Sequence, residues 1–298
     1  MKILLVGDNP FHGISHLSQE RARNRAENPD SAAEKADVVL TAIETGADGF
    51  MFSVSETTLS ILRKIRERNK IKDVGLYAIV PYAYEYVRIA AQTGTPGLAR
   101  KVAKEIALSG NVGAALGGLR AVIRMNPERL LKTYLSYEIS RIKSSAGKNA
   151  KLNSILLHEA VTDMCLALNL DWIFKSWMSF LSKKEITPGF NTRNFLYLVN
   201  KFKEWDLDLE KTVIATQFNK AGFQMNPSKE ACEKALSGLS SPSVVAISVL
   251  AAGYLKPPEA ASYLAGLENI KGLAIGASTT KQAQETFTLF HHRLEEDQ

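Results

Sequence analysis

Eight short runs of apolar, β-branched residues recur along the chain, each followed by a stretch with helical spacing: Ile3–Gly7, Gly49–Ser53, Val74–Val80, Ser154–His158, Glu185–Phe190, Thr212–Gln217, Val244–Val249 and Gly272–Ile275. Within each run the apolar residues are nearly continuous rather than alternating. That is the pattern of strands buried on both faces, as in a parallel sheet. The fifth run is the weakest, because Pro188 lies inside it and a strand takes proline mainly at its ends or at a bulge. Strand and helix alternating eight times predict an α/β chain folded as a closed (β/α)8 TIM barrel, one domain over residues 1–298. An open doubly wound sheet is the alternative. The turn after the first run, Gly7-Asp8-Asn9-Pro10-Phe11-His12-Gly13, lacks the G-x-G-x-x-G spacing that would favour it.

The intervening segments carry readable helix boundaries. Ser31 is an N-cap for the pattern Ala32–Glu44, and Gly46 follows it as a terminating glycine. Ser55 opens a second helix through Arg68. Asn126-Pro127, Asn226-Pro227 and Lys256-Pro257 each place proline where the first turn of a helix is expected. Thr279 or Thr280 starts the last helix, which runs towards Arg293. One stretch exceeds a minimal barrel. About 81–152 reads as several helices, a helical insertion after the third strand with Gly110, Gly113, Gly117 and Gly118 in its middle. Such an insertion would lie on the face where barrel sites are built, so a glycine-hinged lid is one expectation and a rigid side-domain or dimer contact another.

Composition narrows the picture further. With 45% hydrophobic and 23% charged residues the chain is that of a folded globular protein. Two cysteines, Cys165 and Cys232, cannot build a disulfide framework or a Cys-rich zinc site. No segment reads as a targeting signal or a membrane span, so a cytoplasmic location is expected. The net charge is +6, and residues 98–151 alone hold 11 Lys and Arg against 3 Glu. That excess suits a solvated helical face or attraction of an anionic ligand. Nothing points to nucleic acid, since no zinc-finger or RNP-like motif appears and aromatics do not interleave with the basic residues.

In a barrel the chemistry sits just past the C-terminal strand ends. After the first strand come Asp8, Asn9 and His12, with His16 further on. The second strand leads to Ser53, Ser55 and Glu56, and the third to Tyr82, Tyr84 and Glu85. His158 and Glu159 follow the fourth. An imidazole there can serve as acid, base or ligand, and His12, His158 and Glu159 together could hold a divalent metal. Asn191, Gln217 and Asn219 are expected to bind substrate along with Asn9. Lys220, flanked by Phe218 and Phe223, could be desolvated and form a Schiff base, or clamp an anion. The turn Gly276-Ala277-Ser278-Thr279, with Lys281 and the facing Gly253, offers backbone amides at a helix start for a phosphate or a cofactor.

Read in order, several of these motifs resemble the aldo-keto reductases. Ser154-Ile155-Leu156-Leu157-His158 is similar to that family's fourth strand, which ends in a catalytic-site histidine. Gly189-Phe190-Asn191-Thr192-Arg193-Asn194 is similar to its G-x-S-N-F turn, and Thr216-Gln217-Phe218-Asn219 stands where it has N-Q-x-x. Ile247-Ser248-Val249-Leu250-Ala251-Ala252-Gly253 is similar to A-Y-S-P-L-x-x-G, and Ile275-Gly276-Ala277-Ser278 through Glu285-Thr286-Phe287 to I-P-G-A-S…E-N-F. The resemblance covers about residues 150–290. It implies the barrel fold and an NAD(P)-linked reaction on a carbonyl. The first half departs from the family. Gly49–Ser55 has neither its Asp nor its Tyr, Tyr77–Pro81 has no Lys, and Gln282 stands where an Arg is usual.

These readings together lead to an enzyme that acts by acid/base chemistry on a small anionic metabolite, phosphorylated or not, at the C-terminal barrel face, with Asp8, His12, His158, Glu159 and Lys220 as catalytic candidates. A divergent NAD(P)-linked reductase using Tyr82 or Tyr84 as proton donor, and a barrel that binds a metabolite or a partner without turnover, are the alternatives.

Overall fold

The computed structural model describes residues 2–12, 31–68, 73–81, 127–240 and 243–296. Eight parallel strands close into a barrel in sequence order: β1 (Ile3–Gly7), β2 (Gly49–Ser53), β3 (Val74–Val80), β4 (Ala150–Leu157), β5 (Thr187–Thr192), β6 (Val213–Gln217), β7 (Ser243–Ile247) and β8 (Ile270–Gly276). The seam is made by β1 against β8, with Leu5 opposite Ala274 and Gly7 opposite Gly276. The helices among the described residues are α1 (Ala32–Glu44), α2 (Glu56–Arg68), α3 (Pro127–Ala146), α4 (Glu159–Ala167), α5 (Asp171–Ser182), α6 (Phe195–Glu204), α7 (Lys229–Ser237), α8 (Pro257–Ala265) and α9 (Thr280–Glu296).

The near-continuous apolar runs are explained by two buried layers. Leu5, Met51, Tyr77, Ile79, Leu156, Val213, Ala215, Val245 and Ala274 point into the barrel and fill it. Their strand neighbours, among them Phe50, Phe52, Ile155, Phe190, Ile214 and Leu273, point outward and pack under the helices. Period-two alternation therefore selects which layer a residue joins, and both layers are dry.

Five elements differ from the sequence expectation by two residues or more. β5 starts two residues later than expected and runs on to Thr192, with Pro188 as its second residue, where a missing N–H is tolerated. Its last residues Asn191 and Thr192 are therefore strand, not loop. β4 begins at Ala150, four residues early, and a bulge between it and β3 falls where Leu76 pairs with Leu152 and Tyr77 with Ser154. β7 spans Ser243–Ile247, so Ser248 and Val249 lie beyond it, and β8 begins two residues early at Ile270. Asn226-Pro227 does not open a helix. Its peptide is cis, and α7 starts at Lys229 with Ser228 as cap. Pro257 does occupy the first turn of α8, and the Ser31 cap stands in a full capping box with Glu34. Among the described residues α3 is the helix that crosses from β3 to β4. The rest of the expected insertion, residues 82–126 with its glycines, lies outside the described residues. No described helix is long and apolar enough to cross a membrane.

Candidate active site at the C-terminal mouth of the barrel

Asp8 leaves the end of β1 into a short 3-10 turn (Asn9–His12) that folds His12 back over it. The Asp8 Oδ2 oxygen accepts the backbone N–H of Ser53 at 2.6 Å and lies 3.0 Å from His12 Nε2. Both hydrogen bonds that the Asp8 carboxylate accepts from described residues end on Oδ2, which leaves Oδ1 without a partner among them. Asp8 is buried and Asn9 beside it is exposed on the rim.

Across the mouth, His158 ends the β4 segment and is also the N-cap of α4. Its Nδ1 accepts the N–H of Ala160 at 3.2 Å. A ring nitrogen that accepts carries no proton, so the proton of the neutral imidazole is on Nε2. The side chain is only 8% exposed. Burial lowers the pKa of His158 below its ordinary 6.5, Arg193 adds to that, and the carboxylates of Glu159 and Asp8 oppose it. A helix N-terminus also disfavours a cation there. The ring proton of a neutral His158 is thus on Nε2, and Asp8 is near enough for its charge to reach the ring.

Asn191 and Gln217 complete the inner wall. Asn191 pairs in register with Ala215, which faces the barrel interior, and Gln217 lies two residues beyond Ala215 on the same face. They are 6% and 3% exposed, respectively. The carbonyl oxygens Asn191 Oδ1 and Gln217 Oε1 are buried without a hydrogen-bond partner. Such an acceptor costs about 1–3 kcal/mol. Two of them lie on adjacent strands, at the C-terminal face of the barrel.

An outer network supports this wall. Arg193 Nη2 donates to Glu159 Oε1 at 2.5 Å. Asp163, one turn after Glu159, accepts from the Thr192 hydroxyl and from the Arg193 N–H, and Thr192 in turn accepts the N–H of Asn194. Burial pushes the Asp163 carboxyl above the ordinary carboxylate range, against the hydrogen bonds from Thr192, Arg193 and Asn194. Thr192 alternates with Asn191, so clamping its hydroxyl to α4 aims the Asn191 amide into the barrel. Asp163 follows the fourth strand in the sequence together with His158 and Glu159, but it is not among the catalytic candidates named there. The available signal was its i,i+4 spacing from Glu159 on the helix that His158 caps.

Other expected residues are used elsewhere. Lys220 is not desolvated. Its side chain is 53% exposed and paired with Glu259 of α8 at 2.7 Å, so the condition for Schiff-base chemistry is not met. Asn219 spends both ends of its amide on the backbone of Phe223 and closes a loop, which removes it from substrate binding. His12, His158 and Glu159 do not form a metal site, because His12 turns to Asp8 and Glu159 to Arg193. No group of three or more potential ligands is gathered among the described residues. The helix start after β8 is already partly satisfied, since the Ser278 N–H donates to Gln282 Oε1 at 2.8 Å. Ala277 is buried, Thr279 caps Gln282, and Lys281 points outward 4.0 Å from Glu285. The concavity at Ser278 and Thr279 is also walled by Glu34, Lys35 and Asp37, the last paired with Arg68. Gly276 is where it is because an added Cβ would sit 2.7 Å from the Pro10 ring, and Gly253 adopts a left-handed turn with φ +91°. His16, Tyr82, Tyr84 and Glu85 lie outside the described residues.

The closed barrel is similar in fold to solved structures of known barrels. Two solved structures of the "putative aldo-keto reductase" of Pseudomonas aeruginosa match with a TM-score of 0.57 and 9% identity, over 98% of this chain and 90% of theirs. A "putative sugar phosphate isomerase/epimerase" of Anabaena variabilis, at TM-score 0.49 and 9% identity over the whole of both chains, is too distant to carry an argument. No protein-family model matches the sequence, and no curated protein does. At such identity the likeness concerns the fold, and function rests on the site itself.

The nicotinamide dinucleotide that this fold brings to mind fits at one end only. Its carboxamide N–H groups suit Asn191 Oδ1 and Gln217 Oε1. At the helix start after β8 its phosphates would meet Glu34, Lys35 and Asp37 and an amide already taken by Gln282. The ends of β2 and β3 present Ser53, Ile79 and Val80, none of which can protonate a carbonyl as the family's Tyr and Lys do.

Proposed function

We propose that this protein is an enzyme that binds a small polar metabolite in the C-terminal mouth of the barrel and moves protons to and from it. His158 and Asp8 are the groups in contact with the substrate, with His12 steadying Asp8. The observation that carries the reading is the pair of buried, unpartnered acceptors Asn191 Oδ1 and Gln217 Oε1. They call for a ligand with at least two O–H or N–H donors. The ligand is neutral at this end. The described rim holds Asp8, Glu159 and Asp163 against Arg193, which is itself paired, and that balance repels an anion. The reading therefore takes a hydroxyl- or amide-bearing ligand at this end of the site.

A thermal-shift screen of polyols, hydroxy-carbonyl compounds, primary amides and the two nicotinamide dinucleotides tests the reading. A ligand at 100 times its Kd stabilises the fold by about 2.7 kcal/mol. Hits are expected among neutral donor-bearing compounds, and their shift is expected to vanish in Gln217→Met. A hit that stabilises the variant as much as the parent binds elsewhere and overturns the assignment. Saturable binding of NADPH at micromolar levels, lost in Gln217→Met, would restore the reductase reading. Binding of a neutral ligand with no turnover of it would favour a binding protein.

A further inference from the structure

A helix on the outside of a barrel is expected to turn charged and polar side chains to water. On α4 the reverse is found. Its two charged residues are committed at the end of β5, where Glu159 pairs with Arg193 and Asp163 accepts from the Thr192 hydroxyl and the Arg193 N–H. The exposed positions of the helix and its C-cap are Ala160, Met164, Ala167 and Leu168, all apolar. Their spacing of i, i+4, i+7 and i+8 sets them in one stripe. Met164 is 53% and Leu168 62% exposed, although full burial of such a side chain contributes about 1.5–3 kcal/mol. Trp172, in the first turn of α5, and Tyr197, on α6, are exposed as well, and α4 packs against both helices.

We infer that a second copy of this chain covers the stripe, in an isologous contact whose two-fold axis passes at Met164. Two features favour a second copy over another partner. The first is that the stripe complements itself. A small residue, Ala160, stands four positions before Met164, and a large one, Leu168, stands four positions after it. A two-fold axis through Met164 lays the two helices antiparallel. It sets Leu168 of each copy against Ala160 of the other, so each large side chain meets a gap.

The second feature is charge. Lys175 pairs with Asp171 at 2.5 Å beside Trp172, and Lys201 pairs with Glu204 at 2.7 Å below Tyr197. Both flanks of the stripe thus hold matched charges. Two identical surfaces meet there without like charges opposed, and a strongly charged partner gains no counter-charge from those flanks. A stable pair buries about 800 Å² on each partner, which is wider than one helical stripe. Trp172 and Tyr197 extend the stripe with the aromatic residues that interface cores favour.

Sedimentation velocity and a directed cross-link test the pairing. The parent is expected to sediment as a dimer at micromolar concentration. Leu168→Lys alters a position that is already exposed, so the variant should fold, as thermal unfolding will show. Its dimer dissociation constant is expected to rise at least about 100-fold, because each copy then brings an unpaired charge into the contact. Met164→Cys places two thiols on the axis, within the roughly 4.4–6.8 Å Cα separation that a disulfide spans. Mild oxidation is expected to give a covalent dimer on a non-reducing gel. Ser179→Cys, exposed on α5 outside the stripe, is expected to stay monomeric on that gel. The native thiols Cys165 and Cys232 are buried and do not compete. A parent that is monomeric at about 100 μM, above the range that standard interfaces give, overturns the inference. A dimer that survives Leu168→Lys unchanged overturns it too, as does a Met164→Cys protein that cross-links no faster than Ser179→Cys.

Discussion

At Asn191 and Gln217 the fold carries a cost that a protein selected for stability alone would remove. Gln217→Met keeps the length of the side chain and deletes the orphaned carbonyl. We expect it to raise stability by about 1–2 kcal/mol. For a chain this long that is roughly 2–4 °C in Tm for each kcal/mol, checked by thermal unfolding. The same substitution is expected to abolish ligand binding, the usual trade at a functional position. A fall in Tm would mean that Gln217 has a structural partner and is not waiting for a ligand. His158 gives a second expectation. Burial lowers its folded pKa below the ordinary 6.5, so the folded state binds the proton less readily than the unfolded chain. The stability linked to this group is present above pH 6.5 and is lost as pH falls through the lower, folded-state value. An NMR titration of the His158 ring should give a midpoint below 6.5. A midpoint above it would make the group a cation at neutral pH and remove its role as neutral donor.

At the scale of elements, the helices are held to the barrel by a few buried polar links as well as by apolar packing. Glu138 of α3 is buried and pairs with Arg141 Nη1 at 3.0 Å, while Arg141 Nη2 reaches Glu56 at the start of α2. Glu138→Ala leaves a mostly buried guanidinium with one exposed partner and is expected to cost about 3 kcal/mol, read by urea denaturation. Ser31→Ala opens an exposed capping box and should cost nearer 1 kcal/mol. The Asp163–Thr192 clamp belongs to this scale as well. It ties α4 to the end of β5 and so joins the helix that His158 caps to the strand that carries Asn191. Arg68, Arg66 and Arg141 similarly stitch α1, α2 and α3 into one outer layer.

At the scale of the whole molecule, barrel closure depends on side chains that are absent. Gly49 of β2 faces Gly75 of β3 in register, and a Cβ on Gly49 would lie 2.1 Å from the Gly75 carbonyl oxygen. That neighbour is backbone, so it cannot swing away. Gly189 of β5 is similarly enclosed, with Leu156 and Ser154 side chains 2.6 and 2.9 Å from an added Cβ. We expect Gly49→Ala to destabilise the barrel by more than about 3 kcal/mol, or to prevent folding, as shown by its urea midpoint and expression yield. A variant as stable as the parent would show that adjacent strands can separate and that closure is looser than the register indicates.

Periodicity along the chain determined the architecture. A fully buried strand must be apolar on both faces, and only a sheet covered inside and out supplies eight such places. Strands β1, β2 and β3 accordingly lie where the pattern put them, and the candidate residues Asp8, His158, Asn191 and Gln217 follow from the rule that chemistry gathers at strand ends. Boundaries were less legible where a special backbone intervened. Pro188 hid the start of β5, and the bulge beside Leu76 hid the early start of β4. Which candidates work together was not in the sequence. Lys220 and Asn219 have the same local character as Gln217, yet one is drawn outward by Glu259 and the other is consumed by the backbone of Phe223. Partners such as Glu259, Glu34, Asp163 and Ser53 come from distant segments. Charge pairing and amide satisfaction are decided by proximity in space, and proximity exists only once the barrel has closed.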